Sequence, residues 1–426
     1  MSEQYSKKVP QSLLFHKDTK LLDAIVERRS TRYQPQGQRS GYTALQQLEF
    51  QLKDDQMLDL STACVNFTLN VSGTSSANAI ISNAANVFKT LNIYFNDILV
   101  ESINQDCNSW TNAFMAYTVN KSYYDVEGNA LMGITNQVVE SNQSSRKYTV
   151  PLVFLSGFMR MKQHFPLLSN TLRISFDLAP VKDVISKPGN IDNIYTLNDV
   201  SLQCDSIITT NEYRSALLQV INSPKGLKIP YTSIQSSRTA LENSTDNYVK
   251  LNFNLSNALS LFMLVDPPAS TKTWVAAEHT LNVESYPLAT FDRLEVRLGS
   301  KTFTNQDGIR SYSEMYLSSE KCVNGLITSF HSSGCINYKT FSSGYTKNAS
   351  TLTGTYGLFL MGCNLEKDTI SDDSIINEGI SSNEAGNQFD IRLFSTSALT
   401  AGSQLLTAIY HKRSLVLQSG GSAVEF

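Results

Sequence analysis

Apolar and polar residues alternate with a period of two in six short stretches of this chain: 64–71 (CVNFTLNV), 91–100 (LNIYFNDILV), 171–178 (TLRISFDL), 249–255 (VKLNFNL), 291–298 (FDRLEVRL) and 389–394 (FDIRLF). Successive side chains of a strand point to opposite faces, so this alternation predicts β-strands with one face in a core. Turn residues separate them, as in DVEGN, KPGN, SPKG and NQDG. Helical spacing is confined to short segments: 75–88, 158–165, 210–221 and 311–326. At the N-terminus Leu13, Leu14, Lys17, Leu21, Leu22, Ile25 and Val26 also recur at helical spacing, which predicts a short amphipathic helix from Leu13 to Arg29 within an arm of residues 1–55.

The strand pattern repeats at long range. Phe88, Leu91, Ile93 and Phe95 follow the same F-x-x-L-x-[IV]-x-[FL]-turn order as Phe291, Leu294, Val296 and Leu298, 203 residues later. Upstream, Val65-Asn-Phe67-Thr-Leu69 echoes Leu251-Asn-Phe253-Asn-Leu255, and downstream the stretch from Trp110 to Tyr117 parallels the one from Tyr312 onward. Three echoes in one order point to an internal duplication. Each half is all-β and long enough for an eight-stranded jelly roll, which limits its exposed edges by packing two sheets together. The predicted organisation is an arm (1–55), a first jelly roll (56–222) and a second (223–426), joined near Ser223-Pro224-Lys225-Gly226.

Composition narrows the function. Charged residues are 17% of the 426, against roughly 25% in average soluble domains, and Asn, Ser and Thr take much of their place. The net charge is −3, so the chain as a whole does not attract nucleic acid. The first 39 residues are different: eight cations, Arg28 and Arg29 among them, face four acids, a local excess of +4. The start (MSEQYSKKVPQ) lacks the apolar core of a signal peptide, and the longest purely apolar run, 261–265 (LFMLV), is too short to span a bilayer. The six scattered cysteines read as free thiols made in a reducing compartment.

The motifs of common hydrolases, zincins and nucleotide-binding enzymes are absent: no G-x-S-x-G, H-E-x-x-H, G-x-x-x-x-G-K-[ST] or G-x-G-x-x-G occurs. Cys322, His331 and Cys335 match no common zinc spacing. Asp97 with Glu101, and Asp292 with Glu295, are carboxylate neighbours that read as solvated strand or turn residues. Trp110, Phe114, Tyr117, Tyr123 and Tyr124 could stack sugars, which keeps a carbohydrate-binding jelly-roll protein as the alternative; their stronger reading is core or interface packing. Catalytic, cofactor and metal sites are therefore all read as none.

Three stretches carry a family resemblance: VPLVFLSGFMRMKQHFPLL (150–168) with TLRISFDLA (171–179), then IYTLNDVSLQCDSIITTNEY (194–213), then FDRLEVRLGSKTFTNQDGIRSYSEMYLSSEKC (291–322). The first resembles a proline-led strand that breaks at a Gly-Phe pair, the second a strand closing one jelly roll, the third a strand, turn and helix of the next. Together they resemble the double jelly-roll major capsid proteins of adenovirus-like, polinton-like, virophage and tailless membrane-containing phage lineages. The resemblance implies two tandem eight-stranded jelly rolls with short inserted helices and an N-terminal arm, in a non-enzymatic virion protein. It implies a homotrimer forming a pseudo-hexameric capsomer, with neighbouring capsomers, penton and minor capsid proteins as partners and no small-molecule substrate. The arm residues Leu13, Leu14, Lys17, Leu21, Leu22, Ile25, Val26, Arg28 and Arg29 are then assembly candidates, touching a neighbour, an internal membrane or the genome.

Overall fold

Alternating strands need a second layer to cover their apolar faces, and the chain supplies two such sandwiches. The computed structural model describes residues 25–266, 291–324, 360–366 and 379–425, apart from 38, 73–78, 82, 120–122, 124–125, 134–136, 140–144, 162, 186–193, 305–306, 383–387 and 419–420. The first half carries β1 (Ile25–Tyr33), β2 (Tyr42–Thr43), β3 (Gln47–Lys53), β4 (Met57–Ser72), β5 (Ala79–Ile81), β6 (Phe88–Phe95), β7 (Ile98–Ile103), β8 (Gln137–Val139), β9 (Ser145–Pro151), β10 (Phe165–Pro166), β11 (Thr171–Leu178) and β12 (Ile194–Thr209). The second half carries β13 (Leu227–Ala240), β14 (Asp246–Leu251), β15 (Ala258–Asp266), β16 (Phe291–Leu298), β17 (Lys301–Thr302), β18 (Met361–Asn364), β19 (Phe389–Ser395), β20 (Gln404–Gln418) and β21 (Gly421–Glu425).

Strand order shows the duplication directly. In the first half one sheet runs β1-β12-β4 with β9 on the far edge of β4, and the other runs β3-β11-β6-β7. In the second half the orders are β13-β20-β15-β18 and β14-β19-β16-β17. Reading across, β1 corresponds to β13, β3 to β14, β4 to β15, β6 to β16, β7 to β17, β9 to β18, β11 to β19 and β12 to β20. Each half is an eight-stranded jelly roll. Facing sheets meet through aromatic rings: Phe67 of β4 meets Phe88 of β6 edge-on at 6.1 Å, and within its own sheet Phe88 meets Phe176 of β11 at 4.5 Å.

The repeated strand is where the sequence places it. Phe88, Leu91, Ile93 and Phe95 are buried in β6, and Phe291, Leu294, Val296 and Leu298 are buried in β16. The β6–β7 hairpin turns on Asn96 and Asp97, both with positive φ (45° and 67°), as a two-residue primed turn requires. A helix follows each hairpin, Cys107–Thr118 in the first roll and Tyr312–Asn324 in the second. The upstream echo is different: residues 65–69 lie in β4, whereas 251–255 begin at the end of β14, and the counterpart of β4 is β15. Alternating strands resemble one another whatever their position, which is why that match misaligned.

Other expectations need correction. The arm does not extend to residue 55, because β1 and β3 belong to the first roll's two sheets. Ile25, Val26, Arg28 and Arg29 are not helical; they lie in β1, paired antiparallel with β12. An open strand edge on β12 satisfies the backbone of this segment better than an isolated helix could, so tertiary pairing overrides local spacing. Leu13, Leu14, Lys17, Leu21 and Leu22 lie outside the described residues. Of the segment 75–88, residues 79–81 form β5, Ala84–Val87 is a 3-10 helix capped by the Asn83 side chain, and Phe88 opens β6. The segment 158–165 reduces to one 3-10 turn, Phe158–Arg160, before β10. The helices Asn211–Ile221 and Tyr312–Asn324 stand where expected.

Candidate assembly site

The two jelly rolls meet edge to edge. β7 of the first and β13 of the second run parallel and touch at Ser102 and Gln235, which merges sheets of both rolls into one nine-stranded sheet. Glu101 of β7 sits fully buried at this joint. Its carboxylate accepts from the Ile234 backbone N–H (2.8 Å) across the joint, from the N–H groups of Gly157 (3.1 Å) and Phe158 (3.2 Å), and from the Ser156 hydroxyl. Burial pushes its pKa up, and the four donors oppose that shift by favouring the charged form. Gly157 is required here: a Cβ at this position would stand 2.5 Å from the Thr232 carbonyl oxygen.

Aromatic and charged groups extend the joint. The Tyr231 hydroxyl donates to the Val100 carbonyl (3.0 Å), and its ring meets Phe158 edge-on at 5.1 Å. Arg160 donates to the Tyr410 hydroxyl (3.1 Å) and the Val153 carbonyl (2.7 Å). Phe114, on the helix Cys107–Thr118, packs edge-on against Phe262 of β15 and Tyr410 of β20, each at 5.1 Å. At the other end Arg238 of β13 grips Asp106 through two hydrogen bonds (2.9 and 2.8 Å) and also reaches Asp266 (3.1 Å). A two-point guanidinium–carboxylate contact fixes orientation as well as distance.

A second feature lies where the first roll ends. The helix Asn211–Ile221 leaves none of its residues buried, and Tyr213, Leu218 and Val220 are 40%, 38% and 45% exposed. Between this helix and the adjoining strands runs a groove of about 450 Å3, lined by Ile25, Met57, Pro166, Ile207, Leu217 and Ile229 among others. The first described residue of the chain, Ile25, is thus on its wall.

No protein-family model matches the chain, and no curated protein matches it. Solved structures do. The PBCV-1 VP54 capsid protein, fitted into a reconstruction of the virophage Sputnik, superposes with a TM-score of 0.64 at 13% identity, covering 94% of this chain and 96% of its own. The Faustovirus major capsid protein gives 0.61 at 9% identity over 98% and 94%. The Sputnik virophage structure gives 0.55 at 13% identity over 98% and 92%. The fold is that of the double jelly-roll major capsid proteins. Both rolls and their joint fall inside the match, since it covers nearly the whole of each chain.

Within this double jelly-roll frame the candidate residues separate. Ile25 and Val26 are 50% and 65% exposed on the β1 edge. Arg28 binds Asp205 (2.8 Å) and Asp59 (2.9 Å) of neighbouring strands, and Arg29 pairs with Glu27 (3.3 Å). These two cations serve β1 locally. The carboxylates read as solvated are not uniformly so. Asp97 and Asp292 are exposed, whereas Glu101 is buried at the joint, and Glu295 is buried between Arg293 (3.3 Å) and Arg297 (3.2 Å). Strict period-two spacing from Ile98 and Val100 would put Glu101 on the outer face; a register shift in the β6–β7 hairpin instead sets it opposite the buried Ile93, which local spacing cannot report. Trp110, Phe114 and Tyr117 are buried, so they are not open to a sugar. Tyr123 is half-buried, and Tyr124 lies outside the described residues. Cys322 is buried, and burial pushes its thiol well above the usual range, which disfavours the thiolate a metal needs. His331 and Cys335 lie outside the described residues. Among the described residues no group of three or more metal-ligating side chains converges, and no helix is long and apolar enough to cross a membrane.

Proposed function

We propose that this protein is a major capsid protein, a structural subunit of an icosahedral virion shell, and that three copies form one pseudo-hexameric capsomer. One observation carries the reading: a single chain holds the same eight-strand order twice, side by side. Two similar wedges per chain make six in a closed ring of three, the shape that tiles a hexagonal lattice. The near-complete overlap with viral capsid proteins supports it, and the role is structural, with no cofactor. The boundary between the rolls falls at 222/223, after the helix Asn211–Ile221 and before Ser223-Pro224-Lys225-Gly226, where Gly226 takes a positive φ of 65°. Light scattering on the purified full chain is expected to give three times 47.3 kDa, and negative-stain images a hexagonal outline. A stable monomer at micromolar concentration overturns the reading.

We assign residues 1–24, with Leu13, Leu14, Lys17, Leu21 and Leu22, to contacts with a neighbouring capsomer. The segment joins β1 at Ile25, on the wall of the apolar groove, and its apolar positions need a surface to bury against. Its four lysines against three acids leave a surplus of only +1, so an internal membrane or the genome is the weaker partner, and penton and minor capsid proteins complete the set. Deleting residues 1–24, which spares β1, is expected to leave a soluble trimer that no longer forms shells. Normal shells from the deleted chain would remove the arm from assembly.

A further inference from the structure

The second roll's four-stranded sheet, β14-β19-β16-β17, takes no part in the joint. Its strands alternate between core and outside, and Val249, Ile391 and Val296 take the core side. Three cross-strand rows therefore stand on the outer face. Asp246, Phe394 and Arg293 make the first, Tyr248, Arg392 and Glu295 the second, and Lys250, Asp390 and Arg297 the third. Seven of these nine residues are charged, in a chain where charged residues are only 17%. A cavity of about 320 Å3 opens among them, lined by Asp246, Tyr248, Glu295, Arg297, Asp390 and Arg392. That volume lies at the small end of the roughly 300–1,000 Å3 usual for small-ligand clefts.

The jelly roll itself does not demand this network. In the same register of the first roll, Thr90 stands for Arg293, Asn92 for Glu295 and Ser175 for Arg392, and the sheet forms equally well. Burying Glu295 costs desolvation that an asparagine avoids, and the flanking Arg293 and Arg297 offset it. The arginines are held in turn. Arg293 and Arg392 lie over the Phe394 ring, 3.6 and 4.6 Å from its centre, and Arg392 makes two hydrogen bonds to Asp246. Side chains fixed in this way lose little freedom when a ligand arrives. One acceptor is left over: Asp390 Oδ1 is buried and has no hydrogen-bond partner among the described residues. The Tyr248 ring is 55% exposed beside it.

We propose that this outer face of the second roll binds a short neutral saccharide, with Tyr248 against the apolar face of a sugar ring and Arg297, Arg392 and Asp390 hydrogen-bonded to its hydroxyls. The charge pattern selects the ligand class. Cations and carboxylates alternate across the rows, so a simple anion meets Asp246, Glu295 and Asp390, and a metal ion meets the guanidiniums. A neutral ligand with adjacent hydroxyls uses donors and acceptors side by side, and one of its O–H groups satisfies Asp390 Oδ1. An aromatic ring with an apolar face and a polar edge completes such a site. The site lies within one chain, so it stands independently of the capsomer reading. On a shell, many weak copies would act together on a glycan-bearing surface.

The test exposes the full chain to an array of neutral glycans ending in galactose, glucose, mannose, fucose or N-acetylglucosamine, beside sialylated and sulfated ones. Calorimetry with the free terminal sugar then separates recognition of the sugar itself from recognition of the presented chain. At least one neutral class is expected to bind, and Tyr248→Ala and Arg297→Gln are each expected to weaken it about tenfold or more. Gln51→Ala, at the exposed first-roll position equivalent to Lys250, is expected to leave binding unchanged. Cooperative melting verifies that the variants fold. Should one not fold, amide exchange on the unaltered chain decides, with the bound sugar expected to slow β14 and leave β3 as it was. Binding of acidic glycans alone, or of none, overturns the proposal, as does equal binding by wild type and both variants. Variants that lose shell formation while the wild type binds no glycan would assign the face to a neighbouring capsomer instead.

Discussion

Three residues at the joint set how tightly the two rolls are held. Glu101 exchanges water for four protein donors, so the buried carboxyl group is not left unsatisfied. Gly157 permits the approach that brings two of those donors in. Gly157→Ala forces a Cβ into the Thr232 carbonyl, and the overpacking is expected to cost about 1–3 kcal/mol, read by chemical denaturation; an unchanged midpoint would show that the loop relaxes freely. His411, buried on β20, titrates instead of packing passively. Burial pushes its imidazole down to about 3, and Arg413 adds to the shift by repulsion. The unfolded chain takes up a proton near pH 6.5 that the folded chain refuses, so this group costs nothing above pH 6.5 and destabilises progressively as pH falls below it. Between pH 7 and 5.5 the wild type is expected to lose about 1.4 kcal/mol more than His411→Gln does, one pKa unit's worth. Glu101, shifted upward, acts in the opposite sense, which is why the comparison is with the His411 variant and not with pH alone. Parallel pH profiles for the two proteins would exclude the His411 contribution.

Among the elements, β6 and β16 show what the repeat encodes. Ile93 and Val296 occupy the same place in equivalent strands, each fully buried and each paired with the counterpart strand, Ile93 opposite Ile174 of β11 and Val296 opposite Ile391 of β19. Ile93→Ala is expected to cost about 2–5 kcal/mol in thermal denaturation, and Val296→Ala less, because fewer atoms leave the core. A loss under 0.5 kcal/mol at Ile93 would contradict its burial. The run 261–265 is the clearest case of an element whose setting was written in its composition. Too short for a membrane, it lacks the alternation of the other strands because β15 has apolar neighbours on both faces. The helix Cys107–Thr118 left no comparable signal. It is buried on all sides, so it has no polar stripe to mark a helical period.

The whole molecule behaves as two rolls bound by a few strong links. Glu101 ties β7 to β13, and Arg238 ties β13 to Asp106 and Asp266. Calorimetry of the wild type is expected to show one cooperative transition. Removing both links with Glu101→Ala and Arg238→Ala strips buried polar groups of their partners, a loss of several kcal/mol, and is expected to resolve two transitions, one per roll. A single transition in the double variant would mean that the aromatic contacts of Phe114 and Phe158 are sufficient to couple the rolls.

The sequence alone determined the fold class and the duplication, because period-two alternation and its recurrence from Phe88 to Phe291 are local properties of the chain. It also determined the helices Asn211–Ile221 and Tyr312–Asn324, each of which keeps a polar side. Only the tertiary structure decided that Ile25 to Tyr33 is a strand, since β12 supplies the partner backbone from about 170 residues away. Only it decided that Glu101 is buried: the register shift in the β6–β7 hairpin turns it to the side of Ile93, and its donors come from residues 156–158 and from Ile234, far away in the chain. The same physics separates β15 and β20 from β4 and β12. Their places in the two rolls are equivalent, and they differ because Phe114 of the first roll packs on Phe262 and Tyr410 of β15 and β20, whereas β4 and β12 keep half-buried amides and hydroxyls such as Asn66, Thr68 and Asn198.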